Sequence, residues 1–176
     1  MKLRLLLLQA LIAIVALAGA GGSVATFAPA GEPGTPLIVN GRVFDHTGTR
    51  ALAGVTLYAY HTDAKGDYGR LGSLRPRLRG TVVSDAEGRF QWRTIRPMPY
   101  PGRRNPAHIH VEASGGGYPK QWVDEIQFSD DPYVTAAQKA ASRKKGAFAP
   151  IITTRRDARG VLHATCNIRM SNNPSH

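Results

Sequence analysis

The chain has 176 residues, with 23 Lys and Arg against 12 Asp and Glu, and a single cysteine. That length suits one domain with a self-sufficient core, and the lone Cys166 excludes an intrachain disulfide and reads as a small buried apolar residue. The net charge of +11 attracts anions, but no basic helix, zinc-finger spacing or aromatic-basic RNA motif accompanies it, so a nucleic-acid partner is not expected.

At the N-terminus Lys2 and Arg4 precede an apolar run from Leu5 to Ala18, followed by Ala18-Gly19-Ala20. This is the layout of a Sec-type signal peptide over residues 1–20, and it predicts an exported, periplasmic or secreted protein. The run falls short of the roughly twenty residues of a membrane span, so no stable membrane insertion is expected after cleavage; an uncleaved anchor is the alternative. Residues 21–36, rich in Gly, Ala and Pro, are expected to be a flexible leader.

From Leu37 the pattern becomes that of strands. Leu37–Phe44 is followed by a turn at Asp45–Gly48, and Val55–His61 alternates with period two. Asp63-Ala-Lys-Gly-Asp makes the next turn and delivers Tyr68. Thr81–Asp85 and Arg89–Ile95 pair across Asp85-Ala-Glu-Gly. Pro97, Pro99, Pro101 and Pro106 break regularity around Tyr100, and a strand then begins at His108. Gln121–Phe128 reads as one more strand. Asp131 as N-cap with Pro132 behind it predicts the only helix, Val134 to Lys144. Ile151–Thr154 and Val161–Ile168 are expected to close a hairpin around Asp157, and residues 171–176 to form a disordered tail. Short strands with frequent turn signals predict an all-β sandwich domain over residues 37–170 with one short helix.

Chemistry concentrates in Tyr100-Pro-Gly-Arg-Arg-Asn-Pro-Ala-His108-Ile-His110. His108 and His110 stand at i and i+2, so a strand sends both rings to one face and Ile109 and Val111 to the other. Two converging imidazoles make half of a site for Fe, Cu or Zn; two unrelated histidines on a polar face is the alternative. Arg103 and Arg104 lie within this stretch, flank the suspected site and are candidate substrate-binding residues.

The succession Asp63-Ala-Lys-Gly-Asp-Tyr68, Thr94-Ile-Arg-Pro-Met-Pro-Tyr100-Pro and Pro106-Ala-His108-Ile-His110 resembles the intradiol ring-cleavage dioxygenases, in particular protocatechuate 3,4-dioxygenase-type chains. The resemblance runs from about Gly41 to Pro132. It implies a mononuclear non-haem Fe(III) held by Tyr68, Tyr100, His108 and His110. Tyr68 and His108 would be equatorial, Tyr100 and His110 axial, with Tyr100 the ligand that substrate displaces. The implied reaction cleaves a catechol-type diol with O2 between its hydroxyls, giving a cis,cis-muconate. Two positions depart from the family pattern: Asn105 stands where an Arg is common, and Glu125 where a Gln is common, with Gln127 two residues on. Asn105 and Glu125 are therefore candidate catalytic positions, and Gln127 a candidate substrate contact. The resemblance also makes a homo-oligomer an open expectation.

Two other readings stay open. Gly41-Arg-Val-Phe-Asp, Gly54-Val-Thr-Leu and Ser84-Asp-Ala-Glu-Gly-Arg-Phe also resemble prealbumin-type modules, which implies an exported, non-catalytic binding sandwich. The same scaffold loaded with copper or zinc is the third.

Overall fold

The computed structural model describes residues 23–69 and 75–173; the predicted signal peptide and the last residues of the predicted tail lie outside them. Strands in chain order are β1 (Val24–Thr26), β2 (Pro36–Phe44), β3 (Val55–His61), β4 (Leu78–Val83), β5 (Arg89–Ile95), β6 (His108–Gly115), β7 (Tyr118–Trp122) and β8 (Ile126–Phe128). Helix α1 (Ala136–Lys144) follows, then β9 (Ile151–Ile152), β10 (Arg155–Arg156), β11 (Leu162–Thr165) and β12 (Ile168–Arg169). They form two six-stranded sheets. One runs β1-β5-β2-β11-β10 with β12 also on β2; the other runs β4-β3-β6-β8-β9 with β7 also on β6.

Period-two alternation decides what lies between the sheets. In β3, Val55, Leu57, Ala59 and His61 are buried while Thr56, Tyr58 and Tyr60 turn outward. In β6, Ile109, Val111 and Ala113 face inward. Leu37, Val39, Val43 and Trp92 meet them from the other sheet and complete the core. Cys166 lies in that core, and burial pushes its thiol up to about 12, so it is inert packing. This is the all-β sandwich expected, with one short α-helix.

Four boundaries differ from the sequence reading. The leader is not free: Val24–Thr26 pairs in parallel with Gln91–Arg93, Phe27 is buried, and Glu32 is ion-paired to Arg77. Its few apolar residues find a partner on the open edge of β5. Gln121–Phe128 is two strands, both on β6, interrupted at Val123–Glu125 where Asp124 leaves the ladder to pair with Lys145 at 2.6 Å. The helix starts after Thr135, not Asp131. Thr135 and Gln138 cap each other reciprocally, the Gln138 amide donating to Thr135 Oγ1 and the Thr135 amide to Gln138 Oε1. The C-terminal hairpin is β10 with β11 only, because Ile151–Ile152 runs parallel to β8 in the second sheet. Among the described residues no helix is long and apolar enough to cross a membrane.

Candidate metal centre

The outward face of β6 carries His108 and His110, as their spacing predicts. Their shared face is the one directed away from the inter-sheet core, so chain segments leading to and from the strands must cover it. The entry to β6 is fastened: buried Asp131 accepts from the Ala107 amide at 3.0 Å and from the Tyr133 amide at 2.9 Å. That is why Asp131 is unavailable as a helix cap.

Two segments bring the phenols over this face. Thr62 Oγ1 donates to the Met98 carbonyl at 2.6 Å, tying the Tyr68 segment to the Tyr100 segment. Their backbones pack together at Gly66, which has φ +84° and stands where a Cβ would lie 2.1 Å from the Pro99 carbonyl oxygen. Only glycine fits both the backbone conformation and the space. Asp63 closes its turn by accepting from the Lys65 and Asp67 amides at 2.8 and 3.1 Å. Beyond it, the Arg77 amide donates to the Tyr68 carbonyl at 2.6 Å. The Arg77 guanidinium clasps Glu32 at 2.5 and 2.7 Å and reaches Asp63 at 3.3 Å. Arg77's hydrogen bonds hold the Glu32 carboxyl below the usual range, so a residue of the predicted leader helps to fix a predicted ligand.

All four predicted ligands converge. Tyr68 Oη contacts Tyr100 Oη; Tyr100 Oη lies 3.3 Å from His108 Nε2, His108 Nε2 lies 3.1 Å from His110 Nε2, and His110 Nε2 lies 2.9 Å from Tyr68 Oη. The circuit closes on itself. Atoms about 2.1 Å from a common centre, an ordinary metal–ligand distance, stand about 3 Å apart when the angle between them is near a right angle.

The imidazole tautomers support the same reading. His108 Nδ1 faces the Pro106 carbonyl at 2.7 Å; a carbonyl only accepts, so Nδ1 carries the proton and Nε2 turns its lone pair into the circuit. His110 Nδ1 stands 3.4 Å from Glu125 Oε1, a charge contact longer than the His108 hydrogen bond. Two nitrogen lone pairs 3.1 Å apart repel unless a cation or proton lies between them. Burial, and then the neighbouring His108, keep His110 below its ordinary pKa. Burial and the Tyr100 hydroxyl push the Tyr68 phenol well above its own, so a strong cation is what would ionise it. His108, His110 and Glu125 also bring potential ligand atoms within 4.8 Å of one another.

The remaining predicted residues divide between two flanks. Glu125 is exposed, in the break between β7 and β8, with Oε1 3.4 Å from His110 Nδ1 and 3.9 Å from His108 Nε2. Gln127 is the cross-strand neighbour of His108. Arg103 and Arg104 line a cleft of about 610 Å³ on the Tyr100 side, together with Arg96, Met98, Asp131 and Tyr133. Asn105 has its side-chain oxygen buried with no hydrogen-bond partner. Sequence reasoning missed three contributors. Asp131 was read as a helix cap. Arg96, held by Asp130 at 2.8 and 2.9 Å and lying over the Phe128 ring, lines the cleft. Tyr60 stacks on His110 with ring centroids 4.6 Å apart. The signal for Tyr60 was available, since it alternates outward on a strand that pairs with the His-x-His strand.

The dioxygenase family model matches residues 16–171. The chlorocatechol 1,2-dioxygenase of Rhodococcus opacus is 29% identical over 136 residues, which cover 66% of this chain and 52% of that protein. For catechol 1,2-dioxygenase 2 of Acinetobacter lwoffii the figures are 31% over 121 residues, 58% and 43%. The chain thus spans about half the length of these curated relatives. A solved dioxygenase domain from a dioxygenase carbohydrate-binding protein fusion of Streptomyces sp. SirexAA-E matches with a TM-score of 0.64 and 28% identity, covering 84% of this chain and 87% of that one. With the family match running through both sheets and every donor of the metal circuit, the chain belongs to the intradiol ring-cleavage dioxygenase family.

Proposed function

We propose that the protein is an intradiol dioxygenase that takes a catechol-type diol and O2, cleaves the ring between the two hydroxyls, and releases a cis,cis-muconate. The observation that carries this reading is the closed circuit of two phenols and two imidazoles. Hard, anionic phenolate oxygens with two imidazoles favour ferric iron over softer or divalent ions, and Tyr68, Tyr100, His108 and His110 would hold it. Ferric iron, when bound, supplies the charge that ionises phenols and diol and renders the diolate reactive toward O2.

The chain's own residues supply placement and proton handling. Tyr100 borders both the donor circuit and the cleft, so it is the donor that gives way to an entering diol, and its Oη takes up one of the diol's protons. Asn105 follows Arg104 of the cleft lining and keeps its side-chain oxygen buried without a partner, so it brings a polar group but no charge to this flank. Arg103 and Arg104 steer a diol or a carboxylated diol into the cleft. Glu125, placed at His110 Nδ1, orients a ligand and does not take part in the proton handling. Export through the N-terminal segment belongs to the same reading.

A non-catalytic sandwich module has no use for four converging donors, so the binding-module reading is not favoured. The test is optical. Iron-loaded protein should be red to burgundy through tyrosinate-to-iron charge transfer, lose that colour with dithionite, and consume O2 when given catechol. A colourless, iron-free protein after iron-replete expression would sink the proposal, and colour without O2 uptake would leave a metal store on the same scaffold.

A further inference from the structure

The outward face of β3, β6 and β7 bears a row of aromatic rings that starts at the metal centre and extends beyond it. Tyr58 and Tyr60 lie 5.8 Å apart, centroid to centroid, and Trp122 stands edge-on to Tyr60 at 6.4 Å. Trp122 is 53% exposed and shares the face with Tyr58 and Tyr60, and Tyr and Trp are the residues enriched at contact surfaces. The row is continuous with the metal centre, because Tyr60 stacks on His110 at 4.6 Å and meets Tyr68 at 5.8 Å.

We propose that Tyr58, Tyr60 and Trp122 form a second-ring subsite, which takes a neutral aromatic ring attached to the diol being cleaved. The inference rests on the diol-cleaving reading above and gives it a substrate class: catechols carrying a second planar ring, directly bonded or ether-linked. Proximity to the ligands sets the occupant. The row begins at the donor circuit, where Tyr60 stacks on His110, and runs outward from Tyr60 to Tyr58 and Trp122. Charge sets it too. Glu112 lies between Tyr58 and Trp122 in register and is paired to Lys120 at 2.9 Å, and Glu125 stands at the His110 end. Two carboxylates against one paired lysine disfavour an anionic second ring there. Anionic substituents belong on the opposite flank, beside Arg103 and Arg104.

The test is anaerobic calorimetry of iron-loaded protein with catechol and with 4-phenylcatechol. The wild type should bind the two-ring ligand about tenfold more tightly, the scale of one favourable aromatic contact plus the apolar area it covers. Trp122→Ala should reduce that preference to about twofold or less while leaving catechol affinity unchanged, and Trp122→Phe should restore most of it. Equal affinities in the wild type, or a preference that survives both Trp122→Ala and Tyr58→Ala, would overturn the subsite with the dioxygenase reading intact. Failure of catechol itself to bind would overturn both. A wild-type dimer that dissociates on Trp122→Ala would assign the face to a second copy of the chain instead.

Discussion

Asp131 joins the turn after β8 to the first residues of the ligand strand: its Oδ2 accepts from the Ala107 amide at 3.0 Å, one residue before His108. The carboxylate is buried and also accepts from the Tyr133 amide, so both oxygens are committed to backbone. Hydrogen bonds to a charged acceptor contribute about 1.5–3 kcal/mol, and removing one partner leaves a buried amide unsatisfied. Asp131→Ala is expected to cost about 2–4 kcal/mol in urea unfolding of the metal-free protein and to weaken iron retention. Asp131→Asn, which keeps one acceptor oxygen, should lie between. Unchanged iron affinity in Asp131→Ala would show that the fastening stops short of His108.

The Glu125 carboxylate faces His110 Nδ1 at 3.4 Å, opposite the nitrogen that joins the donor circuit. An acceptor there holds the Nδ1–H tautomer and makes Nε2 a better donor; losing such partners typically costs 10–100-fold in metal affinity. Glu125→Ala is therefore expected to lower iron affinity by about tenfold in chelator competition. Glu125→Gln keeps an acceptor oxygen and should lose less. If the two substitutions are indistinguishable from wild type, the His110 ring is oriented by its stack on Tyr60 alone.

Gly66 stands where the two phenol-bearing segments touch. A methyl group there meets the Pro99 carbonyl oxygen at 2.1 Å, on a backbone with φ +84°. Gly66→Ala should leave the sandwich folded by circular dichroism, since the core lies elsewhere, while the Tyr68 and Tyr100 segments move apart. The expected readout is a bleached or strongly shifted charge-transfer band, with a stability cost of about 1–3 kcal/mol from backbone strain. A wild-type spectrum would mean that the segments relax together.

Local signals carried most of the fold and the pairing of His108 with His110, while Tyr68 and Tyr100 joined them through the family resemblance. Val55–His61 and His108–Val111 declare their faces through period-two alternation, which alone puts His108 and His110 together and Ile109 in the core. What could not be read depends on partners remote in sequence. Val24–Thr26 becomes a strand only because β5 has an open edge for it. Glu32 is ordered by Arg77, 45 residues away. Asp131-Pro132 has the local chemistry of a helix start, yet Ala107 claims the carboxylate and the capping box at Thr135 and Gln138 takes over. For Tyr60 the outward alternation was readable within β3, but its register opposite His110 was not.

His61 gives the pH dependence. It is fully buried on β3, with Nδ1 on the Thr62 carbonyl at 2.7 Å and Nε2 on Thr94 Oγ1 at 2.7 Å. The carbonyl fixes the proton on Nδ1, so the neutral ring is satisfied at both nitrogens, and a second proton on Nε2 would bring a buried charge while only reversing the hydrogen bond with the Thr94 hydroxyl. Burial lowers its pKa to about 4, only partly opposed by the Thr62 carbonyl and by Glu32 and Asp63. The unfolded chain binds this proton near pH 6.5 and the folded one does not. Stability is therefore complete above about pH 6.5 and falls as the pH drops toward 4. Between pH 7.5 and 5 the loss is about 2 kcal/mol. Over the same interval the carboxylates paired to Arg77 stay ionised in the folded protein, being held below their usual range. Urea unfolding across this window should show the slope in wild type and a flatter profile in His61→Gln, whatever that substitution costs at pH 7.5. An equal slope in both would place the titrating group elsewhere.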